Sequence, residues 1–434
     1  MGDSPDSPRP DIGDYQQNNL KKKLAAYTSK VFSSFRYPAY RMYVYSMIGH
    51  WAPMQMQMVV RTLLIYRLTG SGTIIGLMAL AHSIPMLLLS LYGGALADRV
   101  EKRQLILWSQ TGLGILALGV AIALTTGYLA AENEGSWWVL VVSSGIQGVI
   151  FGLMMPGRIT ILPEIVDPDD LMNAISLNNM GMNLFRIVAP AAGGFIIAAW
   201  DFTIAYYIMA AGYLTSNIFA LGLPKMPPKN TGSTNPFSEI IEGIRYIKRE
   251  TVIFLVLAFT LGCTILGMPF NLLLPMFTED PELLNVGEEG LGLLMGVSGV
   301  GAIIVSIVLA SIQNKKRGLI MLYMGLLLSV ALIAFAFNTE WVLALLIVIP
   351  VGMGQTGQMA IGTTLVQYHV DPAYRGRVMS FLMLGFGLSS LGTVFGGILA
   401  DAMGIQWSVG GLAVVLAAVT LMILVFGKRL RQLD

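Results

Sequence analysis

Twelve apolar runs, each long enough to cross a bilayer, leave this chain one kind of environment in which to fold. They fall at about 41–66, 73–97, 104–128, 137–162, 173–199, 203–223, 251–277, 290–312, 318–337, 341–366, 377–400 and 405–427. A spanning helix needs roughly 20 apolar residues. Inside the hydrocarbon core every backbone polar group must be bonded within its own segment, so the runs are predicted to be helices. The charge balance excludes a water-soluble fold. Of 434 residues 55% are hydrophobic and 12% charged, with mean hydropathy +0.68, whereas soluble domains carry about a quarter charged residues.

The connections carry a second signal. With the N-terminus placed inside, the inner segments hold Lys21-Lys22-Lys23, Arg99, Lys102 and Arg103, then Arg158, then Lys225 to Arg249. The later ones hold Lys315-Lys316-Arg317, Arg375 and Arg377, and Lys428, Arg429 and Arg431. Of the 27 basic residues only Arg61, Arg67 and Arg186 lie elsewhere. The outer connections carry Glu132, Glu134, Asp201, Glu279, Asp280, Glu282, Glu288, Glu289, Glu340 and Asp401. Positive charge marks the cytoplasmic side. The expected fold is therefore an all-α membrane protein of twelve transmembrane helices, with both termini cytoplasmic. The cell membrane, plasma or inner, is its expected location. The first 40 residues contain no apolar signal segment, so no cleavable leader is expected.

The organisation divides six and six. Residues 1–35 read as a cytoplasmic tail and 36–223 as the first bundle. Residues 224–250 read as a linker, 251–428 as the second bundle and 429–434 as a short tail. In the linker Asn235 is expected to cap a helix with Pro236 first. Phe237, Ile240, Ile241, Ile244 and Ile247 fall on one face, so the helix should lie on the inner membrane surface. The two bundles repeat. Val166-Asp167-Pro168 precedes span five and Val370-Asp371-Pro372 precedes span eleven, each with Asp ready to cap and a serine, Ser176 or Ser380, eight residues after the Pro. Near the outer ends come Ala189-Pro190-Ala191-Ala192-Gly193-Gly194 and Gly392-Thr393-Val394-Phe395-Gly396-Gly397. The copies lie 204 residues apart at Val166 and Val370, and 203 apart at Gly194 and Gly397. Duplicated halves are a pattern of secondary transporters. Gly193 and Gly194 allow a close helix approach, and Pro190 removes a backbone bond. The motif serves either packing or sealing of one side during transport.

At the inner end of span two stands Gly94-Ala95-Leu96-Ala97-Asp98-Arg99-Val100-Glu101-Lys102-Arg103. It resembles the loop signature of the major facilitator superfamily, departing at Glu101 where that pattern has glycine. Leu162-Pro163-Glu164, Leu171-Met172-Asn173-Ala174, Asn178 and Arg375-Gly376-Arg377-Val378 resemble the branch that holds the enterobactin exporter and macrolide-efflux-like carriers. Ala189-Pro190-x-x-Gly193-Gly194 is similar to the antiporter signature of drug exporters. The resemblance implies a conformational role for Gly94, Asp98, Arg99, Lys102 and Arg103, with Asp98 clamping a neighbouring helix end in one state and releasing it in the other. It also implies export. Ser144-Gly145-Ile146-Gln147-Gly148 is similar to an arginine-x-x-glutamine-glycine motif of proton-linked exporters, but Ser144 replaces the arginine, so that residue's relay does not carry over.

Inside the spans, cations stand without carboxylates. Arg186 lies near a span centre, where a cation costs at least ~2.5 kcal/mol. Arg61 lies six residues, about 9 Å, below Arg67. Both are candidates for a cavity that takes an anionic or electron-rich group; snorkelling or bonds to helix carbonyls are the structural alternatives. Gln55, Asn183, Gln355 and Gln358 are candidate polar contacts within methionine-rich, adaptable walls. His50, His82 and Glu164 are candidates for proton coupling, although a lone histidine in a membrane span is more often a packed, hydrogen-bonding residue. No Walker A loop and no metal-ligand spacing occurs, so neither cofactor nor metal is expected, and no nucleophile–base pair suggests an enzyme. The reading is a secondary active transporter, functional as a monomer, that exports small lipophilic or siderophore- and drug-like compounds by alternating access, with H+ as coupling ion and no nucleic-acid partner. A uniporter or importer of an organic anion is the alternative, and a membrane receptor on a transporter fold is a third.

Overall fold

The computed structural model describes residues 32–159, 161–227, 236–312, 316–372 and 374–433. All regular structure among them is helical. The long elements are α1 (Pro38–Thr69), α2 (Gly72–Arg99), α3 (Lys102–Thr125), α4 (Trp138–Ile159), α5 (Pro168–Ala199) and α6 (Phe202–Leu221). They are followed by α7 (Pro236–Arg249), α8 (Thr251–Gly267), α9 (Pro269–Thr278), α10 (Gly287–Ser311), α11 (Arg317–Ala336), α12 (Trp341–His369), α13 (Arg375–Met403) and α14 (Ile405–Phe426). Every predicted run falls on one of them except 251–277, which divides into α8 and α9 at Met268. Pro269 has no N–H to continue the ladder there, so it opens a new helix.

Ten of the described helices, α8 and α9 counting as one, are long and apolar enough to span a membrane; a shorter apolar stretch, Gly387–Met403, lies in α13. Helix α1 falls outside the ten because His50, Gln55, Gln57 and Arg61 dilute its hydropathy. The outward faces suit lipid rather than water: Ile218 is 66% exposed, Leu346 60% and Val425 61%. The interior is apolar and contiguous, with Val59, Val60, Leu63, Tyr206 and Tyr213 buried in one half and Leu273, Phe277, Leu322 and Phe335 in the other.

Neighbour relations repeat along the chain. Helix α2 packs on α4 as α10 packs on α12, and α3 on α6 as α11 on α14. Helix α1 packs on α5 as α8 and α9 pack on α13. The two most extensive pairings between the halves are α2 with α13 and α5 with α10, and the repeat exchanges one for the other. Gly193 and Gly194 make the α5 contact possible. A Cβ on Gly193 would stand 2.7 Å from Met56 Cγ of α1, and one on Gly194 would overlap the carbonyl of Glu288 at the start of α10. Gly397 of α13 meets the carbonyl of Gly72 at the start of α2 in the corresponding way. Pro190 is buried inside a continuous α5.

Two local expectations are corrected. Asp167 occupies the cap position before Pro168, but its side chain does not cap α5; it accepts from the Tyr37 hydroxyl at 2.8 Å. Helix α13 begins only at Arg375, so Asp371-Pro372 precedes the helix without capping it, and the Asp371 N–H donates to the Tyr246 hydroxyl at 3.1 Å. At Asp167 a tyrosine from elsewhere in the chain takes the carboxylate that would have capped the helix. Asn235, the 1–31 tail and the side chains of 236–240, Ser380 and Asp98 lie outside the described residues, as do the surroundings of Gly94.

Candidate functional site

The two halves are fastened at the end that carries the acidic loops. Arg67 of α1 bonds Glu279 at 2.9 and 3.1 Å and pairs with Glu288 at 2.5 Å. Asp401 of α13 accepts from Ser71 Oγ at 2.7 Å and from the N–H groups of Gly72 and Thr73 at 2.7 and 3.0 Å. Those N–H groups belong to the first turn of α2, whose donors have no partner within the helix. A carboxylate from one half thus satisfies the helix end of the other.

Below this closed end, three arginines line cavities, Arg61 and Arg158 half-buried and Arg186 exposed. Arg61 lines a cavity of about 190 Å³ with Met54, Gln57, Met58, His82, Gln147 and Phe151. It donates to Gln147 Oε1, and Gln147 Nε2 donates to Gln57 Oε1 at 2.8 Å. His82 Nδ1 lies 3.3 Å from the Ser144 carbonyl. A carbonyl only accepts, so Nδ1 carries the proton in this contact. Arg61 Nε is buried without a partner. Arg186 lines a separate cavity of about 140 Å³ between α5, α10 and α12, with Asn183, Ser306 and Thr356. The Thr356 hydroxyl is buried and unpartnered. Arg158, counted above among the loop cations, is instead inside the bundle. It sits in the last turn of α4, donates to His50 Nε2 and to Ser109 Oγ at 3.0 Å, and leaves His50 Nδ1 as the protonated ring nitrogen. Its Nε also lacks a partner. Among the described residues no carboxylate pairs with Arg61, Arg158 or Arg186.

The remaining candidates are scattered. Gln55 is half-buried and does not line the Arg61 cavity; its neighbour Gln57, one helical position pair further on, does. Gln355 bridges helices, accepting from Asn271 at 3.3 Å and donating to the Gly267 carbonyl at 3.4 Å. Gln358 is buried, with its Oε1 unpartnered. Lys102 and Glu164 form an ion pair at 2.7 Å, with side chains 8% and 15% exposed. Arg99 ends α2 and is exposed; Arg103 lies in the first turn of α3. His50 and His82 flank the Phe151 ring at 6.1 and 5.8 Å. The structure therefore brings Arg61 and His82 into one pocket, Arg186 and Asn183 into a second, and His50 into a third with Arg158. Only the fold reveals the third: His50 with Arg158 and Arg61 with Gln147 meet across α1 and α4 in one antiparallel register.

A profile described as the Major Facilitator Superfamily matches residues 44–391 and 284–432. Among characterised proteins, the staphyloferrin A transporter of Staphylococcus aureus is 24% identical over 364 residues, covering 82% of this chain and 88% of that one. The enterobactin exporter EntS of Escherichia coli is 23% identical over 340 residues, 76% of each chain. Among solved structures, a peptide transporter, POT, in complex with sulfate superposes with TM-score 0.71 at 14% identity, over 90% of this chain and 95% of that one. A nucleoside transporter, NupG, gives 0.70 at 17% identity, over 88% and 99%.

Proposed function

The chain belongs to the major facilitator superfamily, and is thereby a multi-pass membrane transporter and not an enzyme; from that premise we propose that it is a secondary active exporter of small anionic compounds with apolar bodies, of the siderophore kind. In this reading twelve spans form two six-helix halves in the cell membrane, with both termini cytoplasmic, and the chain works as a monomer. The halves rock about the interior pockets, and protons entering the cell drive export. The repeated neighbour relations support the two halves, and the closed acidic-loop end suits a state open toward the cytoplasm. Glu164, His50 and His82 remain the proton-coupling candidates, and Asp98 with Arg99, Gly94 and Arg103 the gating ones.

One observation carries the substrate class. Arg61 is held in a cavity by one neutral glutamine, Gln147, with its Nε unpartnered. A cation so placed is costly unless an anion joins it. The methionine and phenylalanine walls take an apolar body, and the names of two relatives are those of siderophore carriers. A uniporter or importer of an organic anion is the second reading, favoured by Ser144 standing where proton-linked exporters have arginine.

Inside-out vesicles test the proposal, with iron-free enterobactin as probe. Accumulation that rises with an imposed pH gradient and collapses with an uncoupler is the expected result. Equilibration without accumulation would replace the exporter with the uniporter.

A further inference from the structure

Arg158 itself has no role in the reading above, yet its pocket, which it shares with His50, resembles the Arg61 pocket in its chemistry. Each holds a guanidinium bonded to neutral partners, and each leaves Nε buried and unpaired. The two are registered on the same helix pair. His50 faces Arg158 and Arg61 faces Gln147, so eleven residues separate the rungs on α1 and eleven separate them on α4. At 1.5 Å per residue that is about 16 Å along the bundle. Phe151 lines both pockets and forms the wall between them. Tyr213 lies within electrostatic reach of both guanidiniums, and its hydroxyl is buried without a partner. The lower pocket measures about 10 Å³, room for about one water-sized group, so it takes a terminal oxygen and not a whole molecule.

We infer that Arg158 is a second anion station, and that the transported compound is a polyanion whose ionised groups are spaced to reach Arg158 and Arg61 together past Phe151. The inference rests on the anionic-substrate reading and deepens it. Two anchored ends raise affinity over one because the second contact forms at the effective concentration set by the linker, and the gain is greatest when linker and span match.

The test uses the full chain purified into lipid nanodiscs and calorimetric titration with dicarboxylates separated by ethylene-glycol units of increasing number. Each is compared with its own monomethyl ester. For the wild type, affinity for the diacid should rise with length to a maximum and exceed that for the monoester by about tenfold to hundredfold, the effect of one charge-assisted contact. In Arg158→Gln the advantage should shrink to about twofold while monoester binding persists. Phe151→Trp, which thickens the wall and leaves both arginines in place, should also reduce the diacid advantage, and it guards against a misfolded Arg158 variant. A wild type that binds diacid and monoester equally at every length overturns the second station, as does an Arg158→Gln protein that keeps the diacid advantage. Failure of the wild type to bind either ligand overturns the anionic reading itself, a separate outcome.

Discussion

Replacing Asp401 with asparagine should loosen the closed end of the protein without disturbing either half. Asp401 accepts three hydrogen bonds, from Ser71 Oγ, Gly72 N and Thr73 N. Asparagine keeps one acceptor oxygen, and its amide presents donors where Oδ2 accepted from Ser71 and Thr73. Two bonds are therefore lost, at about 1 kcal/mol each. The favourable meeting of a negative charge with the start of α2 is lost as well, at about 0.3–1 kcal/mol. The sum, about 2–3 kcal/mol, acts only on the state in which the halves touch at this end, because Asp401 belongs to α13 and its donors to α2. The closed-to-open ratio should fall by about 30- to 150-fold. Spin labels on the outer ends of α2 and α13, read by pulsed double-resonance spectroscopy, report that ratio directly. A longer-distance population should grow in Asp401→Asn and stay at the wild-type level in a control that changes only exposed Glu132. An unaltered distance distribution would refute the idea that Asp401 fastens the halves.

Gly194→Ala should reduce transport strongly while leaving the protein folded, since a Cβ there overlaps the Glu288 carbonyl across the α5–α10 contact; vesicle uptake and thermal unfolding measured together would separate the two effects. Arg67→Ala should cost about 1 kcal/mol or less of closed-state preference, because Arg67 is 35% exposed and its pairs are screened; raising the salt concentration should shrink the difference from wild type. Lys102→Met should destabilise by about 1.5–3 kcal/mol by removing its charge-assisted bond to the half-buried Glu164 carboxylate; a fall in melting temperature is the readout, and an unchanged value would contradict it. Gln147→Ala should weaken anion binding less than loss of Arg61, by about fivefold, since it removes an acceptor that orients the guanidinium and not the charge.

The spans were legible because lipid imposes a simple rule: a long apolar run is a helix, and basic residues mark one side. That rule reads α2, α3 and α14 almost to their ends. It has no account of Met268, where the seventh run breaks, because hydropathy does not register the missing N–H of Pro269. The same rule sent Arg158 to a loop, since a cation at the end of an apolar run is usually solvated; only the fold reveals that His50 and Ser109 of other helices receive it. Arg61 and Arg186 were legible for the opposite reason, as cations inside apolar runs with no carboxylate at helical spacing. What joins the halves was not. Asp401 and the first turn of α2 are separated by most of the chain, and nothing local in Ser71-Gly72-Thr73 says which carboxylate will meet it. Gln57 and Gln147 were visible as residues, but their alignment with Arg61 depends on the register between α1 and α4.

The central claim is that an unpaired interior guanidinium receives an anionic substrate. Counterflow of iron-free enterobactin in proteoliposomes, with wild type, Arg61→Gln and Arg61→Lys compared at equal reconstitution, tests it most directly. The account predicts a loss of about tenfold or more in the glutamine variant, partial recovery in the lysine variant, and no matching loss for a neutral lipophilic dye. Glutamine at this position exchanging the siderophore at the wild-type rate would contradict it.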